Sequence, residues 1–184
     1  LSIKKDTEKI LRLMREAGCD TLSFGLQSSD ANMLKSINRD PAEPESLKRI
    51  LKIASKLRFL TNVSYIIGLP GDTKETIQKT IEYSCISGAT LSNYFIFSLL
   101  GGSEIERENK DTTCALTKDE VDKLAVYAAK RFYTRPKAIL RIAYFIIKNP
   151  GWIIKTWVGF YSILTQLGFN NVTLKIFRFF HKKA

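Results

Sequence analysis

Histidine occurs once in these 184 residues, cysteine three times and proline five times, and no acidic residue follows Asp122. Each scarcity closes off a class of function. With His181 alone and set in a basic tail, this chain can assemble neither a histidine metal centre nor a Ser-His catalytic pair. Cys19, Cys85 and Cys114 stand far apart with no C-x-x-C pair among them. They therefore give no disulfide framework, zinc site or iron–sulfur loop, and ordinary thiols in a reducing, cytoplasmic setting are expected. No apolar run reaches the ~20 residues of a spanning helix, and no signal-peptide pattern is visible.

What is present suits a folded α/β protein. The 45% hydrophobic content is that of a globular chain, long enough for one ordinary domain with a sizeable core. The sequence opens on Leu1 and enters a helical pattern at once, so it is expected to be the back part of a longer protein, with the missing N-terminal part as its first partner. The net charge of +11 is unevenly distributed. Up to Asp122, 17 Lys and Arg nearly balance 18 Asp and Glu; from Lys123 onward there are 12 basic residues and no acid. The basic character belongs to one segment. The expected division is 1–112 as an α/β unit and 113–184 as a basic, aromatic-rich helical extension.

Periodicity gives the order of elements. Ile10, Leu11, Leu13, Met14 and Ala17 have helical spacing, with Gly18 as a stop. Thr21–Gln27 alternates as a strand, and Ser28-Ser29-Asp30 starts a helix to about Ser36. Pro41 and Pro44 are expected in a loop before a helix over Glu45–Leu57. A β-branched run then ends at Gly68, and Asp72 and Glu75 are spaced as a capping box for a helix from Thr73 to about Cys85. A third strand is expected over about Ser92–Leu99. Thr117 and Glu120 form another capping-box pattern, opening a helix to about Tyr133, with further helices after Pro136. Strands separated by helical crossovers imply a parallel sheet with right-handed connections.

In such a sheet all strand ends point to one side, so Gln27-Ser28-Ser29, Gly68–Thr73 and Ser98–Ser103 are expected to converge on one mouth. Gln27 and Ser28 offer donors and acceptors for a ribose or a carboxylate. Ile66 and the Gly68 backbone offer an apolar wall and amide hydrogen bonds for a flat heteroaromatic ring. Gly68 and Gly71 around Pro70 allow a backbone path that a Cβ would block. A nucleotide-phosphate loop is excluded: there is no Gly-Lys-Ser/Thr ending, no G-x-G-x-x-G, and an acid sits where phosphate would lie.

These segments, taken together, resemble the radical S-adenosylmethionine (radical SAM) superfamily. Ala17-Gly18-Cys19-Asp20-Thr21-Leu22-Ser23-Phe24-Gly25-Leu26-Gln27-Ser28-Ser29 is similar to its "aGc..i..GvESgs" segment, and Tyr65-Ile66-Ile67-Gly68-Leu69-Pro70-Gly71-Asp72-Thr73 to its "fifGlPGeT". Leu100-Gly101-Gly102-Ser103-Glu104-Ile105 stands where the family has Pro-Gly-Thr-Glu-Leu/Ile. Arg131-Phe132-Tyr133-Thr134-Arg135-Pro136 resembles the "rFYlRP" of the cobalamin-dependent branch.

The resemblance implies the C-terminal half of a (β/α) TIM-like barrel, in which a [4Fe–4S] cluster reduces S-adenosylmethionine and an adenosyl radical or a methylcobalamin modifies substrate. It implies Gln27 and Ser28 beside the ribose and methionine, Ile66 and Gly68 on the strand that meets adenine, Pro70 among the cofactor-binding residues, and Gly101 on the last matched strand. Two positions depart from the pattern: Gln27 replaces a glutamate and cannot pair with a cation, and Gly-Gly-Ser replaces Pro-Gly-Thr. The family's C-x-x-x-C-x-x-C loop and the branch's cobalamin domain are not in these residues, so cluster ligands and any cobalamin site are expected outside them. The chain alone is expected to be inactive, on an unknown small-molecule or lipid substrate.

The basic extension admits three readings: helices packed on the rest of the protein, an amphipathic surface on anionic membrane lipid at the inner face of the membrane, or nucleic-acid binding. The last is the least favoured, for want of a reader motif. A non-catalytic α/β module with such a membrane-binding tail is the alternative to the enzyme.

Overall fold

The computed structural model describes residues 6–99 and 113–148. Helix α1 (Thr7–Glu16) carries an exposed Glu8–Arg12 ion pair at 2.6 Å, one turn apart. Of its apolar positions only Leu11 is buried, while Ile10 and Leu13 face outward. The chain reverses at Gly18 into strand β1 (Thr21–Gln27). Asp30 then caps α2 (Ala31–Ser36), accepting from the Asn32 and Met33 N–H groups.

Helix α3 spans Glu43–Lys56, with Pro44 in its first turn. Pro44 therefore begins the helix and does not punctuate a loop: its fixed φ suits the first turn, and the N–H it lacks would have no partner there. Strand β2 (Leu60–Ile67) leads into α4 (Lys74–Ile86), whose capping box is Thr73 with Thr76. The expected Asp72–Glu75 pair is displaced by one position because the Asp72 carboxylate turns back into the preceding loop.

Strand β3 is shorter than expected, Leu91–Ile96. Its last paired residue, Ile96, faces Ile67, the last residue of β2, so the ladder runs out where β2 enters its turn. Thr117 and Glu120 form the expected capping box of α5 (Lys118–Tyr133), and α6 follows over Pro136–Lys148.

The three strands are parallel in the order β1-β2-β3. This is an open, partial β/α arrangement in which every strand ends on the same rim. Side chains alternate across the sheet, and the two faces differ. Leu26, Val63, Tyr65, Ile67 and Tyr94 form a core with Leu47 and Leu51 of α3, Ile77 and Ile81 of α4, and Val121, Ala125 and Phe132 of α5. Leu22 joins a smaller cluster with Leu11, Ile50, Ala54 and Phe59. All these helices pack on one face. Residues 113–148 are thus continuous with the core of the sheet through α5.

Candidate functional site

The other face is the candidate site. The register sets Ser23 opposite Asn62 and Gly25 opposite Ser64, then Ser64 opposite Asn93 and Ile66 opposite Phe95. This face is small and polar, and Phe95 on it is 54% exposed. Parallel sheets are ordinarily covered on both faces; among the described residues no helix covers this one. The Asn62 Oδ1 atom is buried on it with no hydrogen-bond partner, an acceptor awaiting a donor.

β1 ends in a bulge between Gly25 and Gln27 that aims Gln27 onto this face. Gln27 adopts φ +71°, a left-handed conformation that non-glycine residues rarely hold outside functional or tightly packed sites. Its amide lies over Gly25, where a Cβ would come within 2.8 Å of Nε2, so glycine at 25 makes room for the amide at 27. Arg39 secures the bulge from outside: its guanidinium donates to the Gly25 carbonyl at 2.8 Å and to Glu43 at 2.7 Å.

Ser28 sits at the same strand end but is 2% exposed. Its hydroxyl lies 3.2 Å from Thr80 Oγ1 and accepts from the Asp30 N–H. The Ser29 N–H donates to Thr80 as well, and Lys79 reaches Asp30 at 2.9 Å. This turn is tied to α4. The Lys79 hydrogen bond, helped by the capped N–H groups of Met33 and Asn32, holds the Asp30 carboxyl below its ordinary range against the opposing effect of burial.

At the end of β2, Ile66 is half-buried on the open face and Pro70 is half-buried in the turn. Gly68 has φ +82° and is pressed against α5, where an added Cβ would lie 3.0 Å from Val121 Cγ1. Its N–H donates to Asp72 Oδ2 at 3.1 Å, and the Leu69 N–H to the same oxygen at 2.9 Å. The expected amide donor at Gly68 is therefore already engaged. Asp72 Oδ1 accepts from the Thr76 hydroxyl at 2.6 Å. Burial pushes the Asp72 carboxyl above its ordinary range, against the pull of the Thr76 hydroxyl and the Leu69 and Gly68 N–H groups. The turn is braced again by Gly71 N–H to the Thr113 carbonyl and Ala115 N–H to the Asp72 carbonyl, both 3.0 Å.

The strand ends of β1 and β2 therefore stand side by side on one rim, Gln27 pairing with Tyr65. Gly101, with Gly102 and Ser103, lies outside the described residues. Asn62, Ser64 and Gly25 escaped the sequence reading, although the alternation of Asn62 and Ser64 with Val63 and Tyr65 was a signal for them.

The donor set fits a polar ligand with an aromatic or ribosyl face: an amide, an unpartnered carbonyl oxygen and an apolar wall at Ile66. It does not fit an iron–sulfur cluster. Among the described residues no three His, Cys, Asp or Glu groups come together, and Cys19, Cys85 and Cys114 are separate, half-buried free thiols.

The Radical SAM superfamily model matches residues 2–84, the span that holds β1, β2 and the Gly-Leu-Pro-Gly turn. Over that span the chain is similar to the radical SAM superfamily. It is similar to an uncharacterized methyltransferase of Pyrococcus horikoshii, 26% identical over 167 residues, covering 80% of this chain and 36% of that protein. It is also similar to the cytidylyl-2-hydroxyethylphosphonate methyltransferase of Streptomyces wedmorensis, 29% identical over 107 residues, covering 55% of this chain and 20% of that one. The solved radical SAM enzyme coproporphyrinogen III oxidase (HemN) of Escherichia coli matches 72% of this chain and 30% of its own with a TM-score of 0.60 and 22% identity, which shows the shared partial barrel fold. The chain spans from about a fifth to about a third of the length of these relatives.

Proposed function

We propose that this chain supplies part of the S-adenosylmethionine site of a larger radical SAM enzyme, and that methyl transfer is the reaction it serves. The open face of the sheet carries the reading, with Gln27 and Ile66 at its strand ends and the unpartnered Asn62 Oδ1 further back along β2. Gln27 is placed to hydrogen-bond ribose hydroxyls or the methionine end, Asn62 to accept from a donor of the ligand, and Ile66 to lie against the adenine ring. S-Adenosylmethionine, when bound, supplies a transferable methyl group and a sulfonium whose cleavage yields an adenosyl fragment. The described residues hold that ligand and exclude water from its apolar side. The thiolates for an iron–sulfur cluster belong to another part of the protein, and the isolated chain is proposed to be inactive. The two methyltransferase relatives favour methyl transfer over other radical chemistry.

No step is assigned to cobalamin. In Arg131–Pro136, the segment that resembles the cobalamin branch, Phe132 is fully buried, the Tyr133 hydroxyl bridges the Ser92 N–H and carbonyl, and the Arg135 guanidinium covers the Phe132 ring at 4.5 Å. These side chains build the α5–α6 corner.

Titration calorimetry with S-adenosylmethionine tests the reading. Asn62→Ala is expected to weaken binding by about 5- to 30-fold, the loss of one buried hydrogen bond, with no loss of stability because the orphaned oxygen is removed. Equal affinity in wild type, Asn62→Ala and Gln27→Ala, or no binding at all, overturns it. Anaerobic reconstitution is expected to leave the isolated chain without a cluster; a bound [4Fe–4S] there refutes the assignment of its ligands elsewhere.

A further inference from the structure

On the rim opposite this mouth, where the end of α3 meets the turn before β3, lies a cavity of about 70 Å3 lined by Ser55, Arg58, Phe59, Thr90, Arg141 and Tyr144. Arg58 follows the C-cap of α3 at φ +60°. The Phe59 N–H bonds to the Ala54 carbonyl and the Arg58 N–H to the Ser55 carbonyl, an arrangement in which glycine is the usual residue at this position. Arg141 reaches in from α6 and donates to the Ala89 carbonyl at 3.3 Å. Among the described residues no carboxylate pairs with either guanidinium.

Helix α6 extends the same surface. Ala138, Ile142 and Phe145 face the core, whereas Leu140, Tyr144 and Ile147, at i, i+4 and i+7, form a stripe that is 67%, 53% and 74% exposed. Lys137 and Arg141, one turn apart, flank it. Tyr144 belongs to both stripe and cavity, so the two are continuous. An apolar helical stripe bordered by cations, next to guanidiniums that no described carboxylate pairs, matches the acyl boundary and phosphate layer of a bilayer. The charge supports that occupant: no acidic residue occurs from Lys123 to Ala184.

We propose that this face rests on an anionic lipid bilayer, with Leu140, Tyr144 and Ile147 at the acyl boundary and a lipid phosphate between Arg58 and Arg141. The proposal stands apart from the catalytic reading, since it uses the opposite rim and none of the site residues.

Co-sedimentation of the 184-residue chain with vesicles tests it. Binding is expected with phosphatidylglycerol in phosphatidylcholine and not with phosphatidylcholine alone. Arg58→Gln with Arg141→Gln is expected to weaken binding about 25-fold, about fivefold for each cation removed, while Arg141→Lys keeps the charge and stays within about threefold. Leu140→Asp with Ile147→Asp, both exposed and so compatible with folding, is expected to weaken it at least about tenfold.

Absence of binding to anionic vesicles overturns the proposal. So does binding that both double variants retain, which would place the contact elsewhere on the chain. A melting temperature raised by inorganic phosphate without vesicle binding would make the cavity a free-anion site. Self-association abolished by the aspartates without vesicle binding would make the stripe an interface between copies. Either result also refutes it.

Discussion

On the helix-covered face of the sheet, Leu22, Leu26, Val63, Tyr65 and Ile67 interlock with α1, α3, α4 and α5 and are nearly shielded from water. On the other face the same strands present Ser23, Gly25, Gln27, Asn62, Ser64 and Ile66. One row packs against helices, and the other is small and polar. If the open face binds ligand as proposed, stability and binding are separated residue by residue along the strands, and substitutions one position apart should act on different properties. The turn after β2 is where the two requirements meet. Gly68 ends the strand at the open rim but is pressed against Val121 of α5, and Asp72 beneath it serves the turn's own backbone.

The largest effect expected from this comparison is a contrast of two phenylalanines. Phe132, fully buried behind the sheet, should cost about 3–5 kcal/mol on truncation to alanine. Phe95→Ala on the open face should stay below about 1 kcal/mol. Urea unfolding measures both, and equal losses would break the distinction between the faces.

Next comes Asp72. Asp72→Ala leaves the buried Gly68 and Leu69 N–H groups without an acceptor and should cost about 2–3 kcal/mol. Asp72→Asn keeps an acceptor for them and should cost less than about 1 kcal/mol. Because burial raises the carboxyl's pKa, its protonated form favours the fold. That contribution is present below the ordinary aspartate range and declines as pH rises through the raised folded value. The asparagine variant should lack this decline, and unfolding curves across mildly acidic pH would show it.

The smallest effect concerns Asp30, whose lowered pKa has the opposite sign. Its stabilisation is present above the ordinary aspartate value and is lost as pH falls through the lower folded one. Lys79→Met should flatten the acid limb of the stability profile by less than about 1 kcal/mol, since Lys79 is 64% exposed. A loss of equal size at neutral and acid pH would show that Lys79 acts through packing.

Much of this architecture was legible from residue pattern. The Thr117–Glu120 capping box opens α5 as expected, because its partners are three residues apart and depend on little else. β1 has the expected bounds, Thr21–Gln27, set by local alternation. The second capping box was misread by one residue. Thr73, Glu75 and Thr76 compete for the same helix start, and only the capture of Asp72 by the Gly68 and Leu69 amides decides among them. Ser28 read as an open donor for the same reason: its partner Thr80 is 52 residues away.

By itself, then, the sequence determined the order of strands and helices, their shared direction and the rim on which Gln27 and Gly68 meet. These follow from short-range periodicity, turn chemistry and the handedness of crossovers. Tertiary structure alone decided which polar groups find partners within the protein. The Asp72 carboxylate, the Ser28 hydroxyl and the Gly68 N–H are engaged inside the protein, and the Asn62 oxygen is not, because hydrogen-bond partners are settled by distance in space and not along the chain.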